Sequence, residues 1–184
     1  AIDRSGSGKV SWVVNAINYA VEKKVDIISM SLGMEEDDPK MEKAIKNAIK
    51  NNILVVCAAG NEGDGNADIF EYSYPASYVD VISVGAVDKK GVPAEFSNSN
   101  LVVDLVAPGV DVISTYPNNQ FASLSGTSMA APHVSGSLAL LKNWSREEFQ
   151  RDLTQEEIYA QLIKYTKNLG YPRTVQGNGL VYLK

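Results

Sequence analysis

The sequence has almost none of the residues on which disulfides and most transition-metal sites depend. Its 184 residues include one cysteine, Cys57, and one histidine, His133. A single cysteine cannot form a disulfide within the chain, so the fold does not depend on an oxidising compartment. No apolar run approaches the roughly 20 residues of a membrane-spanning helix. These shortages argue against a disulfide scaffold and against a protein embedded in a membrane.

Positive charge is also scarce. The formal net charge is −5 and the pI is about 4.9, which argues against nucleic acid and against anionic membrane surfaces as partners. Apolar residues make up 45% of the chain and charged residues 21%, as in an ordinary globular domain. The sequence begins at Ala1, without an initiator Met or a signal-peptide pattern, so we expect an N-terminal part of the protein to be missing from it.

Helical and strand patterns alternate along the first third of the chain. Apolar residues recur at helical spacing over Trp12–Val21, and a strand pattern follows over Val25–Gly33. A second helix is expected over Pro39–Asn51, because proline suits a first helical turn. The apolar run Ile53–Ala59 is typical of a strand buried on both faces. This alternation predicts an α/β fold with a parallel sheet and right-handed crossovers.

The rest of the chain continues the pattern with shorter strands. Val81–Val87 predicts another strand, and a strongly apolar helix is expected from Ser128 to about Asn143. Thr154 and Glu157 have the spacing of a capping box, which predicts a helix running to about Lys167. Short strands are predicted at Leu101–Val106, Val110–Ser114 and within Gly177–Leu183, and Phe121–Leu124 leads into the turn before Ser128.

A serine is placed where a loop meets a helix. Gly126 permits a sharp turn, and Pro132 is expected to lie in the first turn of the helix, where its missing N–H costs nothing. Ser128 would then lie at the helix N-terminus, where partial positive charge collects. This is a favourable place for a nucleophile whose reaction produces an anion.

The run Gly-Thr-Ser-Met-Ala-Ala-Pro-His-Val over 126–134 resembles the nucleophile segment of the subtilisin family of serine proteases. Two other short runs resemble segments of the same family, namely Ala58–Asn61, at the oxyanion hole, and Ser31–Gly33, at the substrate-binding strand. The resemblance implies a three-layer α/β fold with a mostly parallel sheet flanked by helices. It also implies a serine endopeptidase that works through an acyl-enzyme, with Ser128 as nucleophile.

The resemblance assigns roles to the residues around that serine. The side-chain amide of Asn61 would stabilise the oxyanion together with the backbone N–H of Ser128. The substrate-binding residues would be Ser31, Leu32, Gly33, Ala58, Ala59 and Gly60. Glu62, at the rim, could attract a basic side chain. Without the resemblance, Asn61 would be interpreted as a residue that forms a turn after a strand, and Glu62 as a solvated loop residue.

The base that would activate Ser128 is not evident in the sequence. His133 follows Ser128 by five residues, which places the two side chains about 140° apart on a helix, so His133 is not expected to accept the Ser128 proton. In the subtilisin family the triad Asp and His precede the Ser-Leu-Gly strand. Residues 1–184 are therefore expected to be the C-terminal portion of a single peptidase domain, with the Asp and His on an absent N-terminal segment. The alternative is a catalytically inert fragment or a peptide-binding module.

The residues in these motifs are most similar to those of the intracellular subtilisins of bacilli. This likeness implies a cytoplasmic protease that acts on peptides or proteins and forms a homodimer. The family also implies structural calcium, with the main site in the absent N-terminal part and a weak backbone site at Ala76, Tyr78 and Val81. That weak site surrounds the Tyr74–Pro75 turn, whose peptide bond is expected by default to be trans, because only about 5–6% of such bonds are cis.

Overall fold

The computed structural model describes residues 1–183 of the chain. Thirteen helices and strands follow one another in these residues. In chain order they are α1 (Val10–Glu22), β1 (Ile27–Met30), α2 (Pro39–Lys50), β2 (Leu54–Ala58), β3 (Ile82–Val87), β4 (Leu105–Pro108), β5 (Val112–Tyr116), β6 (Gln120–Leu124), α3 (Thr127–Phe149), α4 (Gln155–Lys164), β7 (Thr166–Lys167), α5 (Arg173–Gln176) and β8 (Leu180–Val181).

The main sheet has six strands in the order β1-β2-β3-β4-β8-β7. The first five strands are parallel to one another, and β7 runs antiparallel to β8 at the far edge. β5 and β6 form a separate antiparallel pair. The prediction of an α/β fold with a mostly parallel sheet is confirmed. None of the helices in residues 1–183 is long and apolar enough to cross a membrane.

β2 lies at the centre of the packing, because both of its faces are covered by helices. Leu54, Val56 and Ala58 belong to the core cluster on the side of α3 and α4. Val55 and Cys57 belong to the cluster on the side of α1 and α2. All five residues are buried, as the continuous apolar run predicts. Burial also raises the pKa of the Cys57 thiol, which keeps it neutral and unreactive.

Two helix starts are capped by side chains, and the sequence predicts the second of these caps. Asp38 accepts hydrogen bonds from the N–H groups of Lys40 and Met41, and Pro39 is the first residue of α2. Thr154 and Glu157 form a complete capping box at the start of α4. The bond from Arg151 and the cap together lower the pKa of Glu157 to about 2. Both caps depend only on residues within one turn.

Several boundaries differ from the predictions. α3 begins one residue earlier than expected and runs to Phe149 instead of about Asn143. Pro132 lies inside α3, so its placement in the first turn is wrong. α4 ends at Lys164, because Thr166 and Lys167 pair with β8. β4 starts at Leu105, later than predicted. The Tyr74–Pro75 peptide bond is cis, which corrects the expectation of a trans bond.

The C-terminal part of α3 carries a cluster of charged groups. Lys142 Nζ donates to Asp26 Oδ1 at 2.6 Å, and Arg146 donates to the same oxygen at 2.8 Å. Arg146 also pairs with Asp152, which follows α3. Lys142 is buried, whereas Asp26 is exposed and lies immediately before β1. The hydrogen bond from Lys142 lowers the pKa of Asp26. This cluster attaches the end of α3 to the start of β1.

Replacing Asp26 should destabilise the protein in a pH-dependent way. Asp26→Asn removes the anion beside buried Lys142, and we expect the melting temperature at pH 7 to fall by roughly 2–4 °C, the shift that about 1 kcal/mol produces in a domain of this size. The folded-state pKa of Asp26 is lowered, so its contribution is present above the unfolded pKa and disappears as the pH falls through the folded value. The measurement is the melting temperature of the full-length protein from pH 3 to pH 8.

An exposed ion pair provides the control. Glu42 and Lys46 pair across one turn of α2 at 2.6 Å with both side chains exposed to solvent, so Glu42→Gln should change the melting temperature very little. If Asp26→Asn and Glu42→Gln shifted the melting temperature equally at pH 7, the special role of the Asp26 cluster would be refuted.

Candidate active site

The carboxyl ends of two neighbouring strands and the N-terminus of a helix meet at one cavity. Ser31–Gly33 follow β1, Ala59–Asn61 follow β2, and Ser128 is the second residue of α3. In parallel α/β sheets, this edge is where ligands bind. The cavity has a volume of about 360 Å³. Of the residues predicted to form the site, the cavity is lined by Ser31, Leu32, Gly33, Ala58, Gly60, Asn61, Glu62 and Ser128.

Ala59 has a different position from the other predicted residues. It is buried and does not line the cavity, and its N–H donates to the carbonyl of Val84 on β3. Ala59 therefore supports the wall of the cavity from behind.

Asn61 is held in one orientation by the residue before Ser128. The backbone N–H of Thr127 donates to Asn61 Oδ1 at 2.8 Å, and the Thr127 hydroxyl donates to the same oxygen at 3.0 Å. A backbone N–H can only donate, so the atom facing it is the amide oxygen and not the nitrogen. Both N–H groups of the Asn61 amide consequently remain available to an anion. Ser128 adds a third donor, because helices leave the N–H groups of their first turn without helical acceptors.

Thr127 belongs to the candidate site, but the sequence did not lead us to predict its contacts. It is fully buried, and its hydroxyl is also within 3.3 Å of both the N–H and the carbonyl of Gly60. The side chain thus joins the end of β2 to the start of α3. The feature of the sequence that could have pointed to Thr127 is its position next to Ser128 in the run 126–134.

Asn98 holds the loop that carries Asn61. Its side-chain oxygen accepts from the Glu62 N–H at 2.7 Å, and its amide nitrogen donates to Glu62 Oε2 at 2.8 Å. Its backbone N–H donates to the carbonyl of Gly60 at 3.2 Å. Asn98 is 1% exposed, so these bonds are shielded from water. No local pattern in the sequence points to this residue, which lies 36 positions after Glu62.

Ser31 and Ser128 contact each other in both directions. The Ser31 hydroxyl donates to the carbonyl of Ser128 at 2.8 Å. The Ser128 hydroxyl lies 3.5 Å from the carbonyl oxygen of Ser31, at the outer limit of a hydrogen bond. The hydroxyl of the predicted nucleophile is therefore only loosely held and is free to turn toward another acceptor.

His133 makes a local contact within α3. Its Nδ1 lies 2.9 Å from the carbonyl oxygen of Met129, one turn earlier in the helix. This is a short-range helix interaction, and it agrees with the expectation that His133 does not serve Ser128. The chain has no other histidine.

The residues predicted for a weak calcium site offer few ligands. Ala76, Tyr78 and Val81 are buried and could contribute only backbone oxygens, and the carbonyl of Tyr78 already accepts the N–H of Val81 at 3.3 Å. The Tyr78 hydroxyl donates to Asp37 at 2.7 Å. Calcium takes six to eight oxygen ligands, so these three residues do not by themselves fit a calcium site. Within residues 1–183, no group of three or more His, Cys, Asp or Glu side chains could hold a metal ion.

Gly60 cannot carry a side chain in this loop. Its φ is +114°, a conformation that L-residues rarely adopt, and an added Cβ would collide with Asn98 Nδ2 and Glu62 Oε2. Gly60→Ala should therefore lower the melting temperature of the full-length protein by several degrees, since it displaces the bonds that hold the loop.

The same substitution at Gly136 is the matched control. Gly136 lies inside α3, where an added Cβ meets no atom of the described residues within 4 Å. Because alanine favours helix by about 1 kcal/mol over glycine, Gly136→Ala should raise the melting temperature. Equal effects of the two substitutions would contradict this account of the loop.

The chain is similar to proteins of a known family. The family described as "Peptidase_S8: Subtilase family" matches residues 1–179. The chain is 56% identical to the "Major intracellular serine protease" of Bacillus subtilis (strain 168) over 97% of its own length, and 54% identical to the "Intracellular serine protease" of Paenibacillus polymyxa over 99%. It is also 44% identical to "Subtilisin DY" of Bacillus licheniformis, over 76% of the chain and 51% of that protein.

The chain spans 56% of the length of each of the first two relatives. The family match nevertheless extends over residues 1–179, from the residues before α1 to those after α5. On this basis, the chain belongs to the subtilase family.

Proposed function

We propose that the protein containing this chain is a serine endopeptidase that hydrolyses peptide bonds through an acyl-enzyme. The observation that carries this proposal is the pairing of Asn61 with Thr127, which leaves the amide N–H groups of Asn61 available beside Ser128. A rigid pair of donors next to a helix N-terminal serine is the arrangement that acyl transfer requires. The first two relatives are both named as serine proteases, which supports the same activity.

In the proposed reaction, Ser128 Oγ attacks the carbonyl carbon of the scissile peptide bond and loses its proton to a base. The resulting oxyanion accepts hydrogen bonds from the Asn61 amide and the Ser128 N–H, and the N-terminus of α3 adds favourable partial charge. Collapse of the intermediate breaks the C–N bond as the base returns the proton to the leaving amine. Water then attacks the ester at Ser128 by the same route, which releases the acid and restores the hydroxyl.

The base and its orienting carboxylate are proposed to come from an N-terminal segment outside this sequence. The only histidine of the chain contacts the carbonyl of Met129, and the matched relatives are nearly twice as long as the chain. β1 is an edge strand of the main sheet among residues 1–183, so its outer side could pair with further strands of the same domain. Residues 1–184 would accordingly be the C-terminal portion of one peptidase domain.

The substrate is proposed to bind as an added strand along Ser31–Gly33, with one side chain in the cavity. Small residues at Gly33, Ala58 and Gly60 leave the cavity open. Ser73 also lines the cavity, and an added Cβ at Gly33 would collide with its hydroxyl. Ser73 therefore limits the depth of the pocket, a role that the sequence analysis did not identify.

We also propose a cytoplasmic location, for which the support is that two relatives are named intracellular. A homodimer and structural calcium are proposed from the family resemblance alone.

Replacing the proposed nucleophile and oxyanion donor gives the central test. Ser128→Ala should abolish both turnover and labelling by a fluorophosphonate in the full-length protein. Asn61→Ala should lower kcat by about 10²–10³ with little change in KM, a magnitude known from an oxyanion-hole substitution in a subtilisin and not obtained from this geometry. Absence of labelling in the folded full-length protein would instead favour an inert peptide-binding module.

Two acidic residues at the cavity predict a preference for basic side chains. Glu62 and Glu35 both line the cavity and are exposed to solvent. Glu62→Gln should lower the ratio of kcat/KM for a Lys substrate over a Met substrate by about two- to fivefold, the range expected for one exposed ion pair. Glu148→Gln, at the far end of α3, is the control and should leave the ratio unchanged. An unchanged ratio in Glu62→Gln would exclude this role.

A further inference from the structure

We propose that Ser31 is a positioning residue for the nucleophile: its hydroxyl holds the carbonyl of Ser128 in place of the backbone N–H that Pro132 lacks. This inference rests on the proposed function, because it assumes that Ser128 is the nucleophile. It concerns the Ser31 side chain, whereas substrate pairing along Ser31–Gly33 involves the backbone.

Pro132 lies inside α3, four residues after Ser128. In an α-helix, the carbonyl of residue i accepts the N–H of residue i+4. The helical donor for the Ser128 carbonyl would be residue 132, which is proline and has no N–H. The proline ring also crowds the carbonyl four residues earlier and tilts it away from the helix axis. The backbone of the nucleophile therefore lacks the contact that normally fixes a residue in the first turn.

Ser31 supplies a contact to that carbonyl from outside the helix. Its hydroxyl donates to the Ser128 oxygen at 2.8 Å, the length of a good hydrogen bond. Ser31 directly follows Met30, which is buried at the end of β1. The donor is consequently on the first residue after a strand of the main sheet. The distance of 3.5 Å between the Ser128 hydroxyl and the Ser31 carbonyl shows that the two residues face each other closely.

A second hydroxyl contact joins the same two elements and does not involve Ser128. Ser135 Oγ donates to Ser29 Oγ at 2.7 Å, between the middle of β1 and the second turn after Ser128 in α3. Ser29 and Ser31 are thus a matched pair, since each hydroxyl links β1 to α3. The proposal predicts that only the Ser31 link affects the reactivity of the nucleophile.

The test uses the full-length protease and begins with single substitutions. Ser31→Ala should lower kcat and the rate of fluorophosphonate labelling by about fivefold, the factor expected for one neutral hydrogen bond, with KM within twofold of the parent. Ser29→Ala should leave both rates unchanged. A change in KM alone would mean that the Ser31 hydroxyl acts on the substrate, which would overturn the proposal, as would parental rates in Ser31→Ala.

Restoring the missing donor provides the decisive comparison. Pro132→Ala returns an N–H that can reach the Ser128 carbonyl, so in that background Ser31→Ala should cost less than twofold in kcat and labelling rate. This non-additivity is what a shared acceptor predicts. An equal loss in both backgrounds would refute the proposal. If Ser31→Ala melts far below the parent, Ser31→Thr, which keeps the hydroxyl, decides instead: retained rates support the proposal and lost rates overturn it.

Failure of this inference is distinguishable from failure of the proposed function. Labelling or turnover that survives in Ser128→Ala would overturn both. A silent Ser128→Ala together with an unaffected Ser31→Ala would leave the peptidase assignment intact and remove only the positioning role.

Discussion

The hydrogen bonds from Thr127 to the side-chain oxygen of Asn61 are the contact on which the rest of the site depends. They join the end of a doubly buried strand to the first turn of the longest helix, and they decide which end of the Asn61 amide faces a ligand. Asn98 adds three bonds on the other side of the same loop. The N–H groups of Asn61 are therefore oriented in advance, which is the condition for the proposed electrostatic stabilisation of a transition state.

The proposed nucleophile lies in the first turn of α3, and a first helical turn has few internal hydrogen bonds. Pro132 removes one more of them by lacking an N–H. The neighbouring strand end replaces it with the Ser31 hydroxyl. Farther along the helix, Asp26 binds Lys142 and Arg146 and attaches the same two elements again. The orientation of α3 on β1 is thus set at both ends by polar contacts, whereas apolar packing fills the space between them.

The sequence analysis was most successful where a signal repeats locally. Periodicity located the main helices and the doubly buried strand, and the cap at Thr154 was predicted from residues within one turn. The prediction for Pro132 was wrong, because α3 begins five residues before it, and the hydroxyl that binds the freed carbonyl of Ser128 comes from Ser31, 97 positions away. Thr127, Asn98 and Ser73 were not predicted, because their partners lie tens of residues away in the chain.

By itself, the sequence determined the α/β alternation, the family, and the placement of Ser31, Asn61 and Ser128 at element ends. These features depend on residue types and spacings within short segments. Only the tertiary structure decided that Ala59 stands behind the cavity, that Asn61 presents its N–H groups, and that Ser31 binds the carbonyl of Ser128. Those outcomes depend on hydrogen bonds between residues up to 97 positions apart. Such bonds form only once the sheet has brought the strand ends and the helix start together.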